Sequence, residues 1–299
     1  MAYIHTTHGA LGDQDFDRAL PHEHIFIETG EGAAYAYLMA DMNDAQHVMV
    51  PFLMEARALG VGLLCEATPE GVGRRADIVA RIAHAAGLPV AIATGFYREP
   101  WITQETHAAD IDMLAVHMTK ELTDGIAGAE CAAGFIKVGT SPDGVTACEE
   151  KIIRAACRAS LVTGSAICSH TTDAAGAHRI LDIFAEEGIA ASRFVWYHAS
   201  AETDMDRLLA VGRRGCFLSL DDTPGHMPPV LPLVEHGFVS KILLSMDAGW
   251  YNPRHPKGGH VRPYTSLFDT LLPQLERDVV PNDTLRAITH DNVFAAFGR

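Results

Sequence analysis

Eight short apolar runs recur along the chain, at 18–28, 62–66, 89–94, 134–138, 166–170, 194–198, 216–220 and 241–246. Each is followed by a longer stretch with helical spacing. Near-continuous apolar strands are what a parallel sheet covered on both faces requires, because neither face meets solvent. Helices are expected over 44–59, 74–86, 104–123, 146–161, 174–187, 204–211, 229–236 and 264–275. Gly60, Gly87, Gly188 and Gly237 stand where left-handed caps would end four of them. Pro51 falls inside the first pattern and is expected to interrupt it or move its start.

This alternation predicts an α/β chain folded as a (β/α)8 TIM barrel, with 1–299 forming one domain. A doubly wound open sheet is the alternative, but its Gly-x-Gly-x-x-Gly mark after the first strand is absent. The tail, 282–297, reads as a further helix closing one barrel end. The longest irregular segment is 248–263, rich in Gly, Pro and charge.

Composition narrows the function classes. An apolar content of 48% is ample for a buried core, and the net charge of −15 argues against nucleic acid as a partner. No apolar run is long enough to span a bilayer, and the first residues lack the basic and apolar regions of a signal peptide. The six cysteines include no Cys-x-x-Cys pair, and several sit in apolar runs as small core residues. A cytoplasmic setting is expected.

Barrel chemistry gathers at the C-terminal ends of the strands. The first run carries His22 and His24, which a strand places on one face, with Glu23 pointing away. Two such imidazoles can clamp a divalent ion, although a surface or hydrogen-bonded pair is the plainer reading. Later runs end in Glu66, near Tyr97, and in His170, His198, Asp221-Asp222 and Asp247; the fourth carries Lys137. Each has an ordinary alternative. The histidines could bond loop carbonyls, and Asp221 and Asp247 could cap helices. Lys137 is harder to dismiss, because an uncompensated buried ammonium is costly. Taken together, these residues predict a metal centre.

The order His-x-His, Lys, His, His, Asp resembles the amidohydrolase superfamily with a binuclear centre. The surrounding words resemble the phosphotriesterase family within it: Leu20-Pro21-His22-Glu23-His24, Glu66-Ala67-Thr68-Pro69 with Gly73-Arg74, and Ala93-Thr94-Gly95-Phe96-Tyr97. They continue with Gly134-Phe135-Ile136-Lys137-Val138-Gly139-Thr140, Ser169-His170-Thr171 and Ser245-Met246-Asp247-Ala248-Gly249-Trp250-Tyr251. The resemblance covers nearly the whole chain. It departs at the sixth strand, where Tyr197 precedes His198 in place of the family's usual Gly.

The resemblance implies that His22, His24 and Asp247 hold the more buried of two divalent ions, and His170 and His198 the more exposed. It implies that Lys137 is carboxylated by CO2 to a carbamate bridging both. Zinc is the expected metal, with Mn, Co or Fe as alternatives. It further implies a hydrolase whose metal-bridging hydroxide attacks the substrate, with Asp247 accepting the proton. Tyr97 is expected either to donate a hydrogen bond to the developing oxyanion or to serve as an aromatic wall. Arg254, His255, Lys257, His260 and Arg262 form a basic cluster. Arg254, Lys257 and Arg262 would clamp an anionic substrate group, unless the loop is simply solvated or contacts a neighbouring subunit. Trp250 and Tyr251 would line an apolar side of the pocket or pack the loop.

The family analogy favours a small-molecule lactone as substrate, with phosphotriester turnover as a side activity. Amide, carbamate or phosphoester hydrolysis is the alternative on the same centre. A non-catalytic barrel and a mononuclear, deaminase-like centre are further alternatives, although no ligand is missing and Lys137 has no place in the latter. A homodimer is implied by the family's habit.

Overall fold

The computed structural model describes residues 2–30, 36–221, 228–278 and 280–299. Eight of its strands are the expected runs: β3 (Arg18–Phe26), β4 (Val61–Glu66), β5 (Val90–Thr94), β6 (Phe135–Gly139), β7 (Ile167–His170), β8 (Phe194–Tyr197), β9 (Phe217–Asp221) and β10 (Ile242–Ser245). All pair parallel with their sequence neighbours, and the sheet order is β10-β9-β8-β7-β6-β5-β4-β3-β11. Three elements lay outside the expectation. A hairpin of β1 (Ile4–Thr6) and β2 (Gly9–Leu11) precedes the barrel. Within 248–263, expected to be irregular throughout, β11 (Gly249–Tyr251) pairs parallel with β3.

The barrel seam lies between β3 and the end of β10. His22 N donates to Ser245 Oγ at 2.8 Å, Asp247 N to His22 O at 3.1 Å and His24 N to Ala248 O at 2.9 Å. The strand carrying both histidines is thus stitched to the segment carrying Asp247.

The helices are α1 (Met42–Ala58), α2 (Ala76–Ala86), α3 (Gln104–Ala108), α4 (Ile111–Thr123), α5 (Ala147–Thr163), α6 (Ala174–Glu186), α7 (Met205–Gly212) and α8 (Val230–Glu235). Pro51 does not interrupt α1. The buried stripe Ala45, Met49, Leu53 and Ala56 carries the helix through, and Pro51 and His47, whose hydrogen bond is lost, both lie on the exposed face. The expected helix over 104–123 is two helices. Ala109 is extended, and the Asp110 side chain caps a new start by accepting from Met113 N at 2.8 Å. Gly87 forms the left-handed cap of α2 at φ 63°, as expected. The stretch expected over 264–275 is a π-turn at Leu267–Leu271 leading into α9 (Leu272–Arg277). The tail comprises α10 (Asn282–Arg286), a second π-turn and α11 (Asn292–Phe297).

Two apolar clusters follow. One lies between the sheet and the helices. The other fills the barrel with small and medium side chains, including Ala19, Leu63, Cys65, Ala93, Cys168 and Val195. Phe297 of α11 closes its lower end, meeting Phe135 edge-on at 5.2 Å. With the bottom filled, the polar residues of the barrel collect at the C-terminal ends of the strands.

Candidate metal centre

The pleat of β3 turns His22 and His24 to one side, with ring centroids 5.6 Å apart. Both are buried. Asp247 follows β10 in a left-handed conformation, φ 48°, that a residue with a Cβ seldom adopts. This turn sets Asp247 Oδ1 at 3.3 Å from His24 Nε2 and 3.8 Å from His22 Nε2. Lys137, from the centre of β6, brings its Nζ to 3.2 Å from His22 Nε2. His170, ending β7, and His198, just after β8, have ring centroids 4.4 Å apart, and His198 lies 4.9 Å from His22. A small cavity of about 40 Å³ opens between them, lined by His24, Lys137, His170, His198 and Asp247, with Tyr97, Ile27, Val72 and Trp250 on its sides. All six expected ligands therefore meet at one end of the barrel.

A layer of partners behind them fixes the imidazoles. Asp221 takes His22 Nδ1 on one oxygen and His198 Nδ1 on the other, each at 3.0 Å. A carboxylate only accepts, so the His22 Nδ1 that meets it carries the proton, and the His22 Nε2 lone pair is turned towards Lys137 Nζ and Asp247. Asp221 therefore orients imidazoles and caps no helix among the described residues; Asp222 lies outside them. His24 Nδ1 meets Thr68 Oγ1 at 2.7 Å, and Glu66 holds the neighbouring backbone by accepting from Thr68 N and Ile25 N. Tyr197 is the floor. Its ring stacks on His22 at 3.7 Å and 8°, Lys137 Nζ stands 4.2 Å above the same ring, and its hydroxyl donates to Pro21 O.

The electrostatics suit a cation. Burial, and then the nearby Lys137, push His22 down to about 3, so the imidazole is neutral near pH 7. Burial and the facing His198 lower His170 as well. Burial brings Lys137 down to about 8. For Asp247, burial acts to raise the pKa, but His22 and His24 outweigh it and hold the carboxyl well below its usual range. Its Oδ1 is buried and accepts no hydrogen bond among the described residues. A buried carboxylate oxygen left without a donor is costly. His22, His24 and Asp247 offer ligand atoms all within 4.8 Å of one another. Imidazole nitrogens around an unsatisfied carboxylate are a donor set for a divalent ion, so the residues fit the expected group.

The basic loop is placed differently from the histidines. Arg254 pairs with the buried Glu28. Arg262 donates to Asp247 O at 2.7 Å and Met246 O at 3.2 Å. Lys257 is exposed. None of the three lines the cavity. The two aromatics divide the alternatives: Trp250 lines the cavity, whereas Tyr251 stacks on Phe26 and donates to Asp44 Oδ2 at 2.6 Å. Sequence reading missed Thr68, Glu23 and the floor role of Tyr197. Thr68 was visible only as part of the word Glu66-Ala67-Thr68-Pro69.

A model of the phosphotriesterase family matches residues 2–297. The chain belongs to the phosphotriesterase family. A relative in Mycobacterium tuberculosis, a phosphotriesterase homology protein, is 29% identical over all of this chain and 98% of its own length. The solved structure of the phosphotriesterase from Mycobacterium tuberculosis matches with a TM-score of 0.89 at 27% identity, covering 99% of this chain and 98% of the other. A variant of the PTE-like lactonase of Deinococcus radiodurans matches with a TM-score of 0.88 at 25% identity, covering 99% and 100%. This phosphotriesterase-family chain is a metal-dependent hydrolase on an amidohydrolase-type (β/α)8 barrel. No helix among the described residues is long and apolar enough to cross a membrane.

Proposed function

We propose that this chain is a lactonase working with two divalent ions, zinc foremost, held by His22, His24, Lys137, His170, His198 and Asp247. The observation that carries the reading is the buried Asp247 oxygen, unsatisfied beside the Nε2 atoms of His22 and His24. Lys137 fits the centre as its carbamate. Burial favours the neutral amine, whose lone pair adds to CO2 with loss of a proton, and the product is an anion between the two histidine groups. Ions bound there would supply Lewis acidity and a water acidified to a pKa of roughly 7.

The chain's own groups do the rest. Asp247, kept as a carboxylate, accepts a proton and returns it to the leaving alkoxide. Tyr97 keeps its phenolic proton, since burial pushes it up to about 12, and donates it as a hydrogen bond to the carbonyl oxygen that gains charge. Ile27, Val72 and Trp250 give the cavity an apolar side suited to the carbon ring of a lactone. The whole-length similarity to a PTE-like lactonase supports that substrate class. Phosphotriester turnover is a side activity on this reading. The six cysteines are all free thiols, which supports a cytoplasmic setting.

A substrate panel on enzyme loaded with zinc and bicarbonate tests the proposal. Aliphatic and sugar lactones should turn over with higher kcat/KM than paraoxon or simple amides. Inert lactones beside hydrolysed amides would overturn it.

A further inference from the structure

Glu23 stands between the two histidines of β3 and points away from the cavity, yet it is fully buried. Its partners all lie on one segment. Oε1 accepts from Met246 N at 2.9 Å, and Oε2 accepts from Ala248 N at 2.7 Å. The Ser245 hydroxyl lies 2.8 Å from Oε1 and 3.0 Å from His22 O, and shares its one proton between them. Between the two gripped amides stands Asp247, whose own N–H reaches His22 O at 3.1 Å. Three consecutive N–H groups, from Met246 to Ala248, are therefore all bound by two adjacent residues of β3.

The backbone they hold is one a free chain would leave. Asp247 has φ 48°, and outside a glycine this region survives only where the surroundings enforce it. From the opposite side Arg262 and the Trp250 indole donate to Asp247 O. Glu23 supplies what those donors cannot, two acceptors spaced to fit the amides on either side of Asp247. Glutamine would present an NH2 to one of these amides, and aspartate would be one methylene short.

We propose that Glu23 is a positioning residue for the metal centre: its carboxylate fixes the peptides flanking Asp247 and so sets where Asp247 meets His22 and His24. This inference rests on the metal-centre reading above.

The test compares full-length wild type, Glu23→Gln and Glu202→Gln. Glu202 is a buried carboxylate that also accepts backbone N–H groups, from Ala174 and Asp204, and does not line the cavity of the centre. The measurements are zinc equivalents retained after dialysis, the visible spectrum of the cobalt-loaded protein, and kcat and KM for δ-valerolactone. Glu23→Gln should stay folded by circular dichroism, retain zinc more weakly and change the cobalt spectrum. Its kcat should fall about 10- to 100-fold, the usual cost of losing a partner behind a ligand, with KM within about twofold. Glu202→Gln should lower the melting temperature and leave the cobalt spectrum and kcat at wild-type values. Wild-type zinc retention, spectrum and kcat in a folded Glu23→Gln would overturn the proposal. Should that variant not fold, Ser245→Ala, which removes one donor to Oε1, should shift the cobalt spectrum; an unshifted spectrum overturns the proposal equally. A wild-type protein that binds neither zinc nor cobalt would overturn the metal-centre reading itself.

Discussion

At the scale of single residues, the site is a problem of satisfying buried polar atoms. Asp221 resolves it for His22 and His198, and Thr68 for His24. Asp247 Oδ1 is the atom left over, and that remainder is what a cation would complete. Tyr97 presents a different case, because its ring packs against His170 at 5.4 Å while its hydroxyl stays protonated across the working range. Tyr97→Phe keeps the wall and deletes the donor. Its kcat on a lactone is expected to fall about 100-fold, the scale of one oxyanion donor. Because the raised pKa keeps the phenol neutral up to about 12, the basic limb of the pH profile should not move. An unchanged kcat would leave Tyr97 as packing alone.

At the scale of elements, most of the fold was legible because each strand is a buried apolar run and each helix an amphipathic one. What escaped had local causes. β11 is three residues long, too short for any period to show, and it forms because the Asp247 turn delivers it beside β3. The split between α3 and α4 depends on Asp110 acting as a cap, which a continuous apolar pattern hides. Pro51 lies on a solvent-facing stripe, where one lost hydrogen bond does not stop a helix whose other face is buried. The histidines could be read from their pleat; Glu23 could not, since alternation says only that it points away and not that a turn more than two hundred residues later comes to meet it. The basic loop misled for a similar reason. Charge in a sequence does not show that Arg254 and Arg262 are directed at Glu28 and at backbone carbonyls. The tail helix was legible as a barrel plug, and its worth is measurable. Phe297→Ala should cost about 3–5 kcal/mol in urea unfolding, because it opens a cavity against Phe135. A loss under about 1 kcal/mol would mean that the plug carries little of the lower core.

At the scale of the whole molecule, parallel strands in chain order turn separated residues into neighbours. His22 and Asp247 lie at opposite ends of the sequence and meet across the barrel seam. The net charge of −15 plays no part in this geometry, because the centre's field is set by buried pairs and not by the surface. On the proposed reading, Lys137, the histidines on β3, at the end of β7 and just after β8, and the Asp247 turn together hold a pair of ions. That reading is tested most directly by counting metal in purified protein supplied with zinc and bicarbonate, for wild type and Lys137→Ala. Two zinc equivalents are expected in wild type and at most one in Lys137→Ala, with partial recovery on adding a short carboxylic acid. Equal zinc in both proteins, or none in wild type, would contradict it.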